Sequence, residues 1–264
     1  MNPGFYDPPG PRGRRRLRRL TGLLVLIACG GLLWALALLG RAGLLTAEKW
    51  RVLFNGDLLA LLGRGLLATL QVALTAGTVS LLAGAVIAAG LILLRGKLGR
   101  GLLRLWVDIF RCLPLLLLIY FVYFGAPAAG LALSTFWSLT VGIALYNSAV
   151  IAVIVAAGVQ ALPKGQAEAG AAIGLSRSAI FFTIQFPQAV RAMLPALISQ
   201  MVVLLKETSL GFIVGYTEFL RNARSAVEYL GNSYSLPVYT LMAVVYIAIN
   251  VALSRLAICA QRRR

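Results

Sequence analysis

The sequence predicts an all-α integral membrane protein of six transmembrane helices with both termini on the cytoplasmic side. Three observations predict it. Of the 264 residues, 60% are apolar and only 12% charged, whereas soluble domains carry roughly 25% charged residues. Six apolar runs approach or exceed the roughly 20 residues needed to cross about 30 Å of hydrocarbon. The excess of 25 basic over 8 acidic residues gathers in segments that fall on one side of a six-span weave, which the positive-inside rule makes cytoplasmic.

Taken in order, residues 1–20 hold Pro8-Pro9-Gly10-Pro11 with Arg12, Arg14, Arg15, Arg16, Arg18 and Arg19, a composition expected to be disordered. Residues 21–64 are an added N-terminal span, Gly22–Gly40, and a mildly amphipathic outer connector. The basic start followed by an apolar run imitates a cleaved leader. The run is longer than the usual h-region of about 7–15 residues, so an uncleaved span is expected. Residues 65–258 form one transmembrane domain. Its spans are Gly65–Leu94, Leu105–Gly125 if Asp108 and Arg111 are tolerated, Phe136–Leu162, Ala192–Gly215 with Lys206 and Glu207 inside, and Leu236–Ser254. Arg95, Lys97, Arg100 and Arg104 hold the cytoplasmic side between the second and third spans. A basic tail, 259–264, closes the chain.

Small residues recur every four positions in two spans: Ala76, Ser80, Gly84 and Ala88, then Ala144, Ser148, Ala152 and Ala156. That spacing lays a flat stripe along one helix face and predicts close helix contacts. Charged residues inside a span cost about 2.5–3.5 kcal/mol on insertion scales, so they inform more. Asp108 and Arg111 sit three apart and can pair on one face. Arg111 can also snorkel to the interface or serve the substrate path. Lys206 and Glu207 are adjacent, point apart and must each find a partner elsewhere. With Thr208, Ser209 and Gly211 they predict a polar, loosened patch lining a pathway.

Several classes are excluded. The distribution of the +17 charge follows membrane topology, which argues against nucleic acid; the basic ends are topology signals first, with contact to membrane lipid a secondary role. There is no histidine, and Cys29, Cys112 and Cys259 show no metal spacing. They are expected to be small buried thiols, and neither a metal nor a cofactor is expected. The few acidic residues are scattered, which argues against a membrane-embedded enzyme. No internal repeat is evident, which weakens a repeat-built secondary transporter.

The segment between the fourth and fifth spans, residues 161–191, is unlike the rest. Its centre reads AEAGAAIGLSRSAIFFTIQFPQ. Ala-rich 166–173 favours a helix, Gly174 suits its C-terminal turn, Ser176 can N-cap a second short helix, and Pro187 is expected to end that helix. A helix-turn-helix on the cytoplasmic face follows.

Glu168-Ala169-Gly170, three residues, Gly174, nine residues, then Ile184 and Phe186-Pro187 resembles the cytoplasmic EAA loop of bacterial ABC importer permeases. Gly170 and Phe186 are the two departures. The flanks LPKGQAEA, FPQAVRAMLPALISQ, LLKETSL and FRCLPLL resemble the polar amino acid uptake permeases from about residue 65 onward. The run from Met193 to Arg224 resembles actinobacterial glutamate permeases. The resemblance implies a five-helix importer permease core plus one N-terminal helix. It also implies a cytoplasmic-membrane location, a second permease subunit in a hetero- or homodimer, a dimer of ATPase subunits and an extracytoplasmic solute-binding protein. It implies inward transport of a polar L-amino acid, glutamate first. The loop residues Glu168, Ala169, Gly170, Gly174, Ser176 and Pro187 would dock the ATPase, and Arg111, Lys206, Glu207, Thr208 and Ser209 would line the substrate path. No G-x-x-x-x-G-K-[ST] phosphate loop occurs in the chain, so ATP is expected on a partner. A secondary transporter or channel working without ATPase is the alternative. Where such permeases carry a Glu and an Arg three apart in the fourth span, this chain has Val153 and Ala156. The outer segment Tyr216–Leu236 should be an amphipathic hairpin on the membrane surface, with Glu218–Arg221 and Arg224–Glu228 pairs.

Overall fold

The computed structural model describes the backbone of residues 10–262 and the side chains of residues 10 and 13–255, and no strand occurs among them. The helices are α1 (Pro11–Arg41), α2 (Ala47–Arg51), α3 (Gly56–Leu93), α4 (Lys97–Cys112), α5 (Leu115–Ala128), α6 (Thr135–Gln160), α7 (Lys164–Ala172), α8 (Arg177–Ala179), α9 (Phe186–Glu207), α10 (Phe219–Leu230) and α11 (Ser235–Arg262). A π-helical turn, Ile180–Gln185, joins α8 to α9, and a 3₁₀ segment, Thr208–Val214, extends α9. Among the described residues five helical stretches are long and apolar enough to cross a membrane, and α4 with α5 makes a sixth if a pair bent by 104° counts as one span.

That bend corrects the third expected span, Leu105–Gly125, which is not one straight helix. Pro114 has no N–H to donate and drives the residue before it out of the helical region. Leu113 is extended at φ −78°, ψ 135°, α4 ends and α5 restarts in a new direction. The pairing expected of Asp108 with Arg111 does not occur either. Among the described residues the one ion pair joins Arg224 to Glu228.

The core is organised around α6, which packs on α3, α5, α4 and α9. Both small-residue stripes lie where their spacing places them. Ala76, Ser80 and Ala88 on α3 are fully buried, as is Ala152 on α6, and Ala144, Ser148 and Ala156 are buried beside it. Gly84 shows why the stripe must be small: a Cβ there would sit 2.6 Å from Ile151 Cγ2 and 2.9 Å from the Ser148 carbonyl oxygen. Gly142 likewise lets α6 approach the Ile119 backbone of α5, where a Cβ would meet Cα at 2.9 Å. Hydrocarbon tails are as apolar as leucine, so backbone proximity and dispersion, rather than burial from water, hold such helices together.

Other boundaries move. α3 begins at Gly56, nine residues before the expected span, because Asn55 caps it by accepting from the N–H groups of Asp57 and Leu58 at 2.8 and 3.2 Å. α1 begins at Pro11, which suits the first helical turn. Residues 11–20, expected to be disordered, are therefore helical. The same expectation for residues 1–9 lies outside the described residues. The apolar stretch of α1 buries none of its residues within the chain. Cys29 and Cys112 are exposed rather than buried, and the Cys259 side chain lies outside the described residues.

Overpacking a close contact of this kind costs about 1–3 kcal/mol. Gly84→Val should therefore lower the melting temperature in detergent, whereas Gly31→Val, where a Cβ meets nothing within 4 Å, should leave it unchanged. Equal effects would show that α3 and α6 do not meet as described.

Candidate functional site

The loop between α6 and α9 is built from local rules. α7 ends in a Schellman turn: Leu175 N–H donates to the Gly170 carbonyl at 3.1 Å and Gly174 N–H to the Ala171 carbonyl at 3.0 Å, with Gly174 at φ +83°. Only glycine adopts that left-handed conformation freely. Ser176 then caps α8, its hydroxyl oxygen accepting from Ala179 N–H at 3.2 Å. Gly170 is the buried residue of α7, where a Cβ would press on Ile180 Cγ1 at 3.0 Å and Ile184 Cδ1 at 3.2 Å. Gln188 Nε2 ties α9 back to α7 by donating to Gln166 Oε1 at 2.7 Å. Glu168, Ala169 and Ser176 remain exposed. Glu168 lines a recess of about 350 Å³ with Arg177, Ile180 and the end of α3.

Pro187 does not end the second short helix. It sits in the first turn of α9, directly after the π-helical turn. A widened turn removes the clash between a proline ring and the carbonyl four residues back, so α8 runs on into α9. The tip of the loop also shows what motif reading overlooked. Ile173 is 78% exposed and stands with exposed Leu175 beside the Gly174 turn, an apolar knob at the tip of the loop.

The polar residues of the fifth span separate into two groups. Glu207 faces α6, where Asn147 Nδ2 donates to its Oε2 at 2.8 Å. Asn147 is fully buried, and its Oδ1 accepts from Gln200 Nε2 at 2.7 Å. Thr208 is also buried, its hydroxyl donating to the Leu205 carbonyl at 2.7 Å. Lys206 and Ser209 face the other way and line a cavity of about 510 Å³ against α11, with Tyr246 and Asn250 opposite. Lys206 makes no ion pair among the described residues. Arg111 belongs to neither group and lies in a recess between α4 and α6. Asn147 and Gln200 were overlooked in the sequence, although a lone amide in an apolar run carries the same desolvation argument as a charge.

The outer segment differs from the hairpin expected of it. α10 packs Phe219, Ala223 and Val227 against Leu58 and Leu62 of α3 and Val238 of α11. Arg224 Nε pairs with Glu228 Oε1 at 2.9 Å on its exposed side. Glu218 does not pair with the Arg221 side chain. It is fully buried and caps α10, accepting from Leu220 N–H at 2.8 Å and Arg221 N–H at 2.7 Å. Burial pushes its carboxyl from the ordinary 4.5 up to about 7, against the lowering effect of those two N–H donors and the Arg221 charge.

The folded chain thus holds a proton that the unfolded chain releases, so this contribution to stability is present in full below about pH 4.5 and is lost as pH rises through about 7. Glu218→Gln is uncharged at every pH. Between pH 5 and pH 8 the wild-type melting temperature should fall more than that of Glu218→Gln, and parallel profiles would show that Glu218 ionises freely.

Comparison with known proteins agrees with this architecture. The family described as "Binding-protein-dependent transport system inner membrane component" matches residues 80–263. The chain is 34% identical over 202 residues to a probable glutamine ABC transporter permease of Bacillus subtilis, covering 76% of this chain and 92% of that one. It is 35% identical over 227 residues to a glutamate transport system permease of Corynebacterium glutamicum, covering 83% and 81%. A solved amino acid ABC transporter, described with histidines, superposes with a TM-score of 0.71 at 27% identity, covering 78% of this chain and 94% of that one. The methionine transporter MetNI in an inward-facing conformation shares the fold, with a TM-score of 0.64 at 20% identity over 78% of this chain and 98% of that one. With two-thirds of its length matched to the family and its helices arranged as in a solved relative, the chain belongs to the binding-protein-dependent transport system inner membrane components, and is a multi-pass, non-catalytic permease subunit of an ABC importer in the cytoplasmic membrane.

Proposed function

We propose that this chain carries a polar L-amino acid, glutamate first, inward across the cytoplasmic membrane, driven by ATP hydrolysed on a separate pair of subunits. The loop geometry carries this reading. α7 and α8 project from the end of the bundle as a unit fixed by a glycine turn, a serine cap and a Gln166–Gln188 bond. At the tip are exposed Ile173 and Leu175, an apolar knob of the sort that seats in a partner's groove. The basic first turns of α1 and the basic residues of α4 support placing this end in the cytoplasm. A second permease, either a copy of this chain or a related one, and an extracytoplasmic binding protein complete the assembly. The exposed Arg224–Glu228 side of α10 offers the binding protein a polar surface.

Within the bundle the substrate path runs by the crossing of α6 and α9. A carboxylate held by an amide, with a second amide behind it, presents acceptor and donor atoms suited to the ammonium and carboxylate of an amino acid. Lys206 offers a cation on the neighbouring face, toward α11. Glutamate as the substrate is supported by the similarity to the Corynebacterium permease, and glutamine by that to the Bacillus one.

Glu168→Lys should abolish co-purification with a co-expressed ATPase while leaving membrane insertion intact, and undiminished co-purification would count against the docking role. Asn147→Leu leaves the Glu207 carboxylate without its donor in low dielectric, a loss of order 1–3 kcal/mol, so uptake by the assembled transporter should fall by roughly five- to 150-fold. Lys206→Ala should impair uptake without dissociating the complex. Wild-type uptake in both would move the path elsewhere.

A further inference from the structure

α4 has three faces. Val107 is buried and packs with Phe110 against α6, and Leu103 presses on Gly90 of α3. Leu98, Leu102, Leu105 and Ile109 form a second face, 45–79% exposed. Lys97, Arg100, Arg104, Asp108 and Arg111 recur every three or four residues and form the third. A helix with an exposed apolar face beside a basic one, turned by 104° from its successor, has the design of a helix lying in a membrane interface.

Between its basic face and the bundle lies a recess of about 280 Å³, lined by Arg104, Asp108, Arg111, Val153, Ala156 and Gln160. α6 offers no carboxylate there. Among the described residues Arg104, Asp108 and Arg111 make no ion pair or hydrogen bond through their side chains. Two guanidinium groups and one carboxylate leave the recess net positive and unneutralised. Guanidinium forks match the oxygens of a phosphate, and basic pockets between helices on the cytoplasmic side suit anionic headgroups.

We propose that this recess binds an anionic phospholipid of the cytoplasmic leaflet, with its phosphate between Arg104 and Arg111 and its acyl chains along the exposed leucines of α4. The leaflet rests on the orientation proposed above, whereas the site itself does not. A water-soluble anion finds the same two arginines but leaves Leu98, Leu102 and Leu105 uncovered. A lipid covers both.

Trp106 lies on α4 and is 40% exposed, so it reports on lipid at this helix. The test uses the full chain with Trp34, Trp50 and Trp137 replaced by Phe, placed in phosphatidylcholine bilayers. Quenching of Trp106 by chain-brominated phosphatidylglycerol is compared with quenching by chain-brominated phosphatidylcholine. Half-maximal quenching should need about tenfold less phosphatidylglycerol, since each arginine near an anionic headgroup contributes appreciably. Arg104→Gln/Arg111→Gln should remove the preference while leaving quenching by phosphatidylcholine unchanged, which shows that α4 is still in place. Val153→Glu, which puts a carboxylate opposite the arginines, should weaken the preference. Arg18→Gln/Arg19→Gln, on α1, should not. Equal quenching by both lipids in the parent, a preference that survives Arg104→Gln/Arg111→Gln, or one lost equally in Arg18→Gln/Arg19→Gln would overturn the proposal. No nucleotide, ATPase or substrate is present, so the outcome is independent of the transport reading.

Discussion

A carboxylate in hydrocarbon persists only where the protein supplies its hydrogen bonds. In this chain that requirement is met at one crossing: Asn147 of α6 donates to Glu207 of α9 and accepts from Gln200 on the same helix. For the amide to reach, α6 and α9 must run close together. Gly158 makes room for Met193 where the two helices approach, and the stripe of small residues seats α6 against α3. The bundle is thus arranged around a polar contact that packing alone does not require. Removing one partner of such a contact strands the other, a penalty larger than the net gain of forming the pair.

The same two helices are consecutive in sequence and are joined by the α7–α8 loop. On the proposed function, this makes a mechanical path that runs the length of α9, roughly 30 Å. A partner that moves the loop moves the ends of α6 and α9, and so bears on the Asn147–Glu207 contact between them. The continuity of α8 with α9 through the π-helical turn matters here, because a flexible hinge at Pro187 would dissipate the displacement. Lys206 sits on the neighbouring face of α9, against α11, so rotation of α9 would exchange which charge faces the bundle.

Much of this was legible in the sequence, and the reasons are specific. The small-residue stripes were readable because close helix packing demands one residue class at one spacing. The loop was readable because Gly174 and Ser176 occupy positions where conformation, rather than tertiary context, dictates the residue. Four features were not. Pro114 hid the α4–α5 break inside a run apolar enough to pass for a span. Pro187 looked like a terminator, because a proline after a helical stretch also suits the first turn of the next one. Glu218 looked like half of a surface pair by spacing, but its carboxylate turns inward to cap α10, which no spacing rule reveals. Asn147 carries no formal charge to mark it in an apolar run, although a buried amide is constrained by the same desolvation.

The central claim is that this chain provides a path and a docking surface while the work of transport comes from another chain. The most direct measurement is accumulation of labelled glutamate in vesicles, with the purified chain reconstituted with and without its ATPase and binding protein, in the presence of ATP. The account predicts uphill uptake only when the nucleotide-hydrolysing partner is present. Concentrative uptake by the chain alone would contradict it.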